Sequence, residues 1–275
     1  MSWIDQGHYP ETMVFRWTLL KFTKLILLSC TLIVRLSVGV QLMGPDLTHL
    51  FSLVLVLMGS PERVFNPHLR AKLAMLLEGL LPNLGITTLL RIHLERIFCE
   101  HPHVSELIPV LLHVFVSIEA TGHSVSFDRK FQYRSPMYAV LRYCWNISVH
   151  RETMKRLAKE AEEGIEAPDP PVFLRFINLL INDANFLLDE ALSCMVRLRE
   201  LQARDQPLSA EDQASLSQTS MLARFHNAMS SASTYTLQWL TSQIRSIFCQ
   251  PAIVDRMAAM LNYFLLHLVS WLCIK

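Results

Sequence analysis

Cys99, His101 and His103 stand at alternate positions in the run CEHPH and offer the thiolate and imidazole donors that hold zinc. Alternate positions share a side only in an extended chain. Pro102 favours a turn, and no fourth ligand follows at metal-site spacing. The run therefore reads as a loop between helices. Gly39 and Gly44 have the spacing of a phosphate-binding loop, but Pro45-Asp46 stands where a Lys-Ser/Thr pair must balance phosphate charge. His93-Leu94-Glu95 matches the start of a zinc-deaminase signature whose PCxxC half is missing. No GxSxG, HExxH or GxGxxG occurs. The residue types thus assign no catalytic residue, no cofactor-binding residue and no metal ligand.

Two further constellations could bind rather than react. FDRKFQYRSPMYAVLRYCW, Phe127 to Trp145, mixes arginine, lysine and aromatic rings as a nucleic-acid groove does. From Phe127 to Arg156 seven Arg/Lys face two Asp/Glu, while Leu157 to Asp169 carries one Lys and five Asp/Glu, so neighbouring acids can neutralise the basic run. Met137, Val140, Leu141, Cys144 and Trp145 fall on one helical face, which marks a core. Tyr138 and Arg142 lie one turn apart, where a guanidinium can stack on a ring. The structural reading is preferred, and no nucleic-acid partner is expected. Asn178, Asn182, Asn185 and Asp189 form a polar stripe on a long helical pattern. Armadillo proteins hold extended peptides with such asparagines, although a solvated or interhelical hydrogen-bonding face is the commoner use.

The elements that position these residues are helices. Of 275 residues 51% are hydrophobic and 18% charged, glycine is scarce at eight, and the net charge of +1 supplies no field for an anionic partner. The class is all-α. Asp46 can cap a helix that Gly59-Ser60-Pro61 stops, and Asn66-Pro67 opens another with the apolar stripe Leu69, Leu73, Leu76, Leu77 and Leu80. Further helices are predicted at 87–99, 104–120 and 150–163. A long one runs from Pro170 to Leu201, and Ser209 caps the next with a Ser-x-x-Asp box. Ser230 to Ser233 is expected to break that helix, with two more near 234–248 and 251–269. Helices of this size suggest an elongated armadillo- or HEAT-like stack, although no fixed sequence period is present.

The six cysteines, Cys30, Cys99, Cys144, Cys194, Cys249 and Cys273, are widely spaced and read as free thiols of a reducing compartment. The N-terminal 43 residues differ from the rest. Their apolar run, Leu25 to Val34, is ten residues long between Lys24 and Arg35, where a membrane span needs about 20. No membrane insertion is expected.

NPHLRAKL (66–73), FQYRSPMYAVLRYCW (131–145), PPVFLRFINLLINDANFLLDEAL (170–192), MLARFHN (221–227) and MLNYFLLHLV (260–269) resemble, in order, the core of ubiquitin conjugation factors of the E-four class, with the A and B types of animals most similar. Ser135 and Ala139 depart from that pattern, where Arg and Pro are expected. The resemblance covers 44–269 and leaves 1–43 as an atypical N-terminal segment and 270–275 as a divergent tail. It implies the scaffold of a ubiquitin chain-elongation ligase that acts on already ubiquitinated substrates in proteasomal degradation and endoplasmic-reticulum quality control. In the family a C-terminal U-box, without metal or covalent nucleophile, docks the ubiquitin-conjugating enzyme. No U-box is recognisable here, so a truncated or alternatively spliced product is expected, inactive by itself. The other partners the resemblance implies are a p97-type AAA ATPase, ubiquitinated substrates and proteasome shuttle proteins. The compartment it implies is the cytoplasm, with the nucleus second. The runner-up reading is a helical peptide-binding adaptor without ubiquitin chemistry.

Overall fold

The structure, a computed structural model, describes residues 44–82, 85–119, 127–203 and 209–273. Residues 1–43, with the run Leu25 to Val34 and Gly39, lie outside the described set. Among the described residues every regular element is helical, as the all-α class predicts. The chain divides into two compact units, Met1–Met154 and Lys155–Lys275.

The first unit holds α1 (Gly44–Gly59), α2 (Pro67–Gly79), α3 (Thr88–Glu100), a 3-10 turn (Val104–Glu106), α4 (Leu107–Ser117) and α5 (Phe127–Cys144). The division between units falls inside α6 (Ser148–Glu163). α1 begins ahead of Asp46, which is therefore inside the helix and not its cap. Asn66 does cap α2: its Oδ1 accepts the amides of His68 at 2.9 Å and Leu69 at 3.4 Å, and Pro67 occupies the first turn, where a missing N–H costs nothing. The predicted stripe Leu69, Leu73, Leu76, Leu77 and Leu80 is buried throughout. Each such side chain contributes about 1.5–3 kcal/mol before entropy is subtracted. Gly59 ends α1 where α4 crosses closely; a Cβ there would sit 3.0 Å from Val110 Cγ2. α2 packs on α1, α4 and α5, and α1 on α3 and α4, a pairing consistent with a helical-repeat fold.

The second unit is built on α7 (Val172–Gln202) and α8 (Ala210–Gln243), followed by the short α9 (Arg245–Phe248) and α10 (Pro251–Cys273). Ser209 caps α8 as its box predicts: its Oγ accepts the Asp212 amide at 3.0 Å and donates to Asp212 Oδ2 at 2.8 Å. The expected break at Ser230 to Ser233 does not occur; α8 runs straight through it. Ser230 and Ser233 are buried, and Ser233 Oγ donates to the Leu180 carbonyl of α7 at 3.1 Å. Small residues here allow two long helices to approach closely. The break falls instead at Ile244, whose φ −128°, ψ 72° leave the helical region. α7 is buried on more than one side: Leu174, Ile181, Asp183, Leu192 and Cys194 join Phe173, Phe176, Ile177, Leu180, Ala184, Leu187 and Ala191 in the core. Arg256 meets residues 178 and 182, and Tyr263 meets 189, so α10 runs parallel to α7.

Candidate functional site

Ser52 and His101 come closest to a reactive pair. Ser52 Oγ lies 2.9 Å from His101 Nε2, the distance of a nucleophile–base dyad. The remaining contacts fix the proton. His101 Nδ1 accepts the His103 backbone N–H at 3.1 Å, so Nδ1 is bare and Nε2 carries hydrogen. Nε2–H donates to Ser52, whose hydroxyl donates to the Thr48 carbonyl at 3.2 Å. A nitrogen that donates to the hydroxyl cannot take its proton. Both ring nitrogens are also used within the fold, which leaves no lone pair for a metal. Burial holds the imidazole below its ordinary range. His101 is thus a neutral connector that closes α3 onto α1, and the loop reading of CEHPH describes what it does. Among the described residues no three His, Cys, Asp or Glu side chains gather as a metal site.

Neither Cys144 nor Cys99 carries an activated thiolate. Burial pushes the Cys144 thiol up. Cys99 is exposed, but desolvation first and then Glu100 and Glu95 push its thiol up as well. Cys194 Sγ lies 4.0 Å from His226 Nδ1, both buried between α7 and α8. His93 is half-buried, and Glu95 beside it pairs with Arg91 at 3.9 Å. A polar cleft where α7 ends and α8 begins is lined by Arg197, Glu200, Glu211 and Asp212, charges of both signs.

The basic and aromatic run forms α5, with Phe131, Arg134 and Tyr138 among its buried side chains. Met137, Val140, Leu141, Cys144 and Trp145 are all buried, as their shared face predicts. Arg134 has no exposed side-chain surface. Its Nη2 donates to Glu119 Oε2 at 3.0 Å and to the Phe115 carbonyl at 3.4 Å, and its guanidinium lies 4.2 Å over the Phe115 ring. Tyr138 meets that ring edge-on at 5.7 Å. A buried stack of Arg134 on Phe115 lies outside the pairs that sequence spacing suggested. Lys130 Nζ adds a second cation 3.3 Å from Glu119.

Arg134 belongs to a pattern that residue types did not disclose. The last carbonyls of a helix lack intrahelical donors. In the first unit basic side chains from later helices supply them. Arg70 of α2 donates to Met58 O at 3.3 Å near the end of α1. His150 of α6 lies 2.9 Å from Phe98 O near the end of α3, and Arg134 of α5 reaches Phe115 O near the end of α4. Arg151 of α6 donates to Trp145 O, just past α5, at 3.1 Å. The three arginine cations suit these negative helix ends, and the neutral His150 ring serves as an N–H donor. Arg70, Arg134 and Arg151 thus tie helix ends through backbone carbonyls.

Three residues of the polar stripe of α7, Asn178, Asn182 and Asp189, are likewise occupied. Arg256 donates Nη1 to Asn178 Oδ1 and Nη2 to Asn182 Oδ1, the latter at 2.8 Å. Tyr263 donates to Asp189 Oδ1 at 2.7 Å. These residues are the seam between α7 and α10. For these three residues that is the interhelical use of such a stripe, while Asn185 Oδ1 is buried with no hydrogen-bond partner among the described residues.

Since these constellations are structural, similarity to other proteins decides the function class. The family model described as ubiquitin elongating factor core matches residues 15–274, starting ahead of Gly44 and running past Val269. The Ubiquitin conjugation factor E4 A of Rattus norvegicus is 44% identical over 238 residues, 82% of this chain and 22% of that protein. The Probable ubiquitin conjugation factor E4 of Arabidopsis thaliana is 31% identical over 82% of this chain and 22% of its own length. The E4 ubiquitin-protein ligase UFD2 of Saccharomyces cerevisiae is 30% identical over 84% of this chain and 24% of its own. The chain spans about a fifth of the length of these relatives.

Proposed function

Because the chain belongs to the ubiquitin elongating factor core family, we propose that it is the helical scaffold of a ubiquitin chain-elongation ligase, one that extends chains on substrates already carrying ubiquitin. The observation that carries this reading is the family match across residues 15–274. The site geometry agrees with a scaffold. The nearest approach to a catalytic dyad, Ser52 with His101, has its proton on the wrong nitrogen, and the thiols of Cys99 and Cys144 are pushed up. In this reading the chain contributes shape and partner contacts, and a U-box supplies the docking of the ubiquitin-loaded conjugating enzyme. Ubiquitinated substrates, a p97-type AAA ATPase and proteasome shuttle proteins are the proposed partners. Degradation from the endoplasmic reticulum is the proposed setting, in the cytoplasm and secondarily the nucleus. Among the described residues no helix is long and apolar enough to cross a membrane.

The test is a pull-down with the full 275-residue chain from cell extract, paired with a reconstitution. Recovery of ubiquitin-pathway proteins is expected. Recovery only of extended peptides unrelated to that pathway would contradict the reading and favour an adaptor. With activating enzyme, conjugating enzyme, ubiquitin and a ubiquitinated substrate, the chain alone is expected to give no growth above background.

A further inference from the structure

We draw no further inference here: the strongest candidate, the polar cleft between the end of α7 and the start of α8 lined by Arg197, Glu200, Ser209, Glu211 and Asp212, rests on a helix N-terminus and a cluster of acidic side chains, and none of its lining side chains is a buried group left without a hydrogen-bond partner that would point to a ligand.

Discussion

Arg134 holds a full charge with none of its side chain in water, while its partner Glu119 is 43% exposed. The pair is stable because the guanidinium also reaches the Phe115 carbonyl and ring. Arg134→Met is expected to lower stability by about 2–4 kcal/mol, since it removes a charge-assisted bond and strands a helix-end carbonyl. A urea unfolding midpoint measures this. Buried histidines make a second prediction. His101 and His150 are neutral, and desolvation holds both below the ordinary value of 6.5. His101 Nδ1 faces an N–H, so a proton there meets another proton. Below pH about 6.5 the unfolded chain takes up protons that the folded imidazoles resist, so the unfolded state is favoured. Stability should be full above that pH and fall as acid is added, and urea midpoints taken across the range should show it. A midpoint that stays flat from neutral into the acid range would contradict this account. None of these roles was legible in residue type. Arg134 and His150 look like surface or ligand residues until the fold sets them against carbonyls 19 and 52 positions away.

The clearest element is the long α7–α8 pair. Its local signals were explicit: prolines before α7, a Ser-x-x-Asp box before α8, and apolar residues at helical spacing. Asn66-Pro67 and the leucine stripe of α2 were equally plain, because caps and periodicity are local facts. Ser230 to Ser233 was misleading because serines weaken an isolated helix, and the compensation lies in a neighbour far along the chain. Ser233→Ala should cost about 1 kcal/mol through the lost bond to Leu180 O. Ser233→Leu should cost about 1–3 kcal/mol or more by forcing α7 and α8 apart. Were the segment a break in α8, both changes would leave the unfolding midpoint untouched. The asparagine stripe offered two uses at the level of sequence, and only the position of α10 separates them. Arg256→Ala together with Tyr263→Phe removes its three bonds to α7. Amide exchange in α10 should then quicken while α7 and α8 keep their protection.

At the scale of the whole molecule, fold class and function rest on different grounds. High apolar content, few glycines and uninterrupted helical periods were enough for an all-α chain, whereas the family became readable only through five ordered blocks. Physically this is expected of a scaffold. Its chemistry consists of carbonyl caps, buried stacks and helix seams, which any helical protein requires, so no residue set announces a reaction. The division into two compact units was not visible in composition, because it falls inside the charged, amphipathic α6. The central claim is that residues 15–274 act as the interchangeable core of a chain-elongation ligase. It is tested most directly by substituting them for the matched segment of the rat relative and following ubiquitin-chain growth on a ubiquitinated substrate. A folded chimera is expected to retain elongation that depends on the rest of that protein. A chimera that folds and binds its conjugating enzyme, yet adds no ubiquitin, would contradict the account.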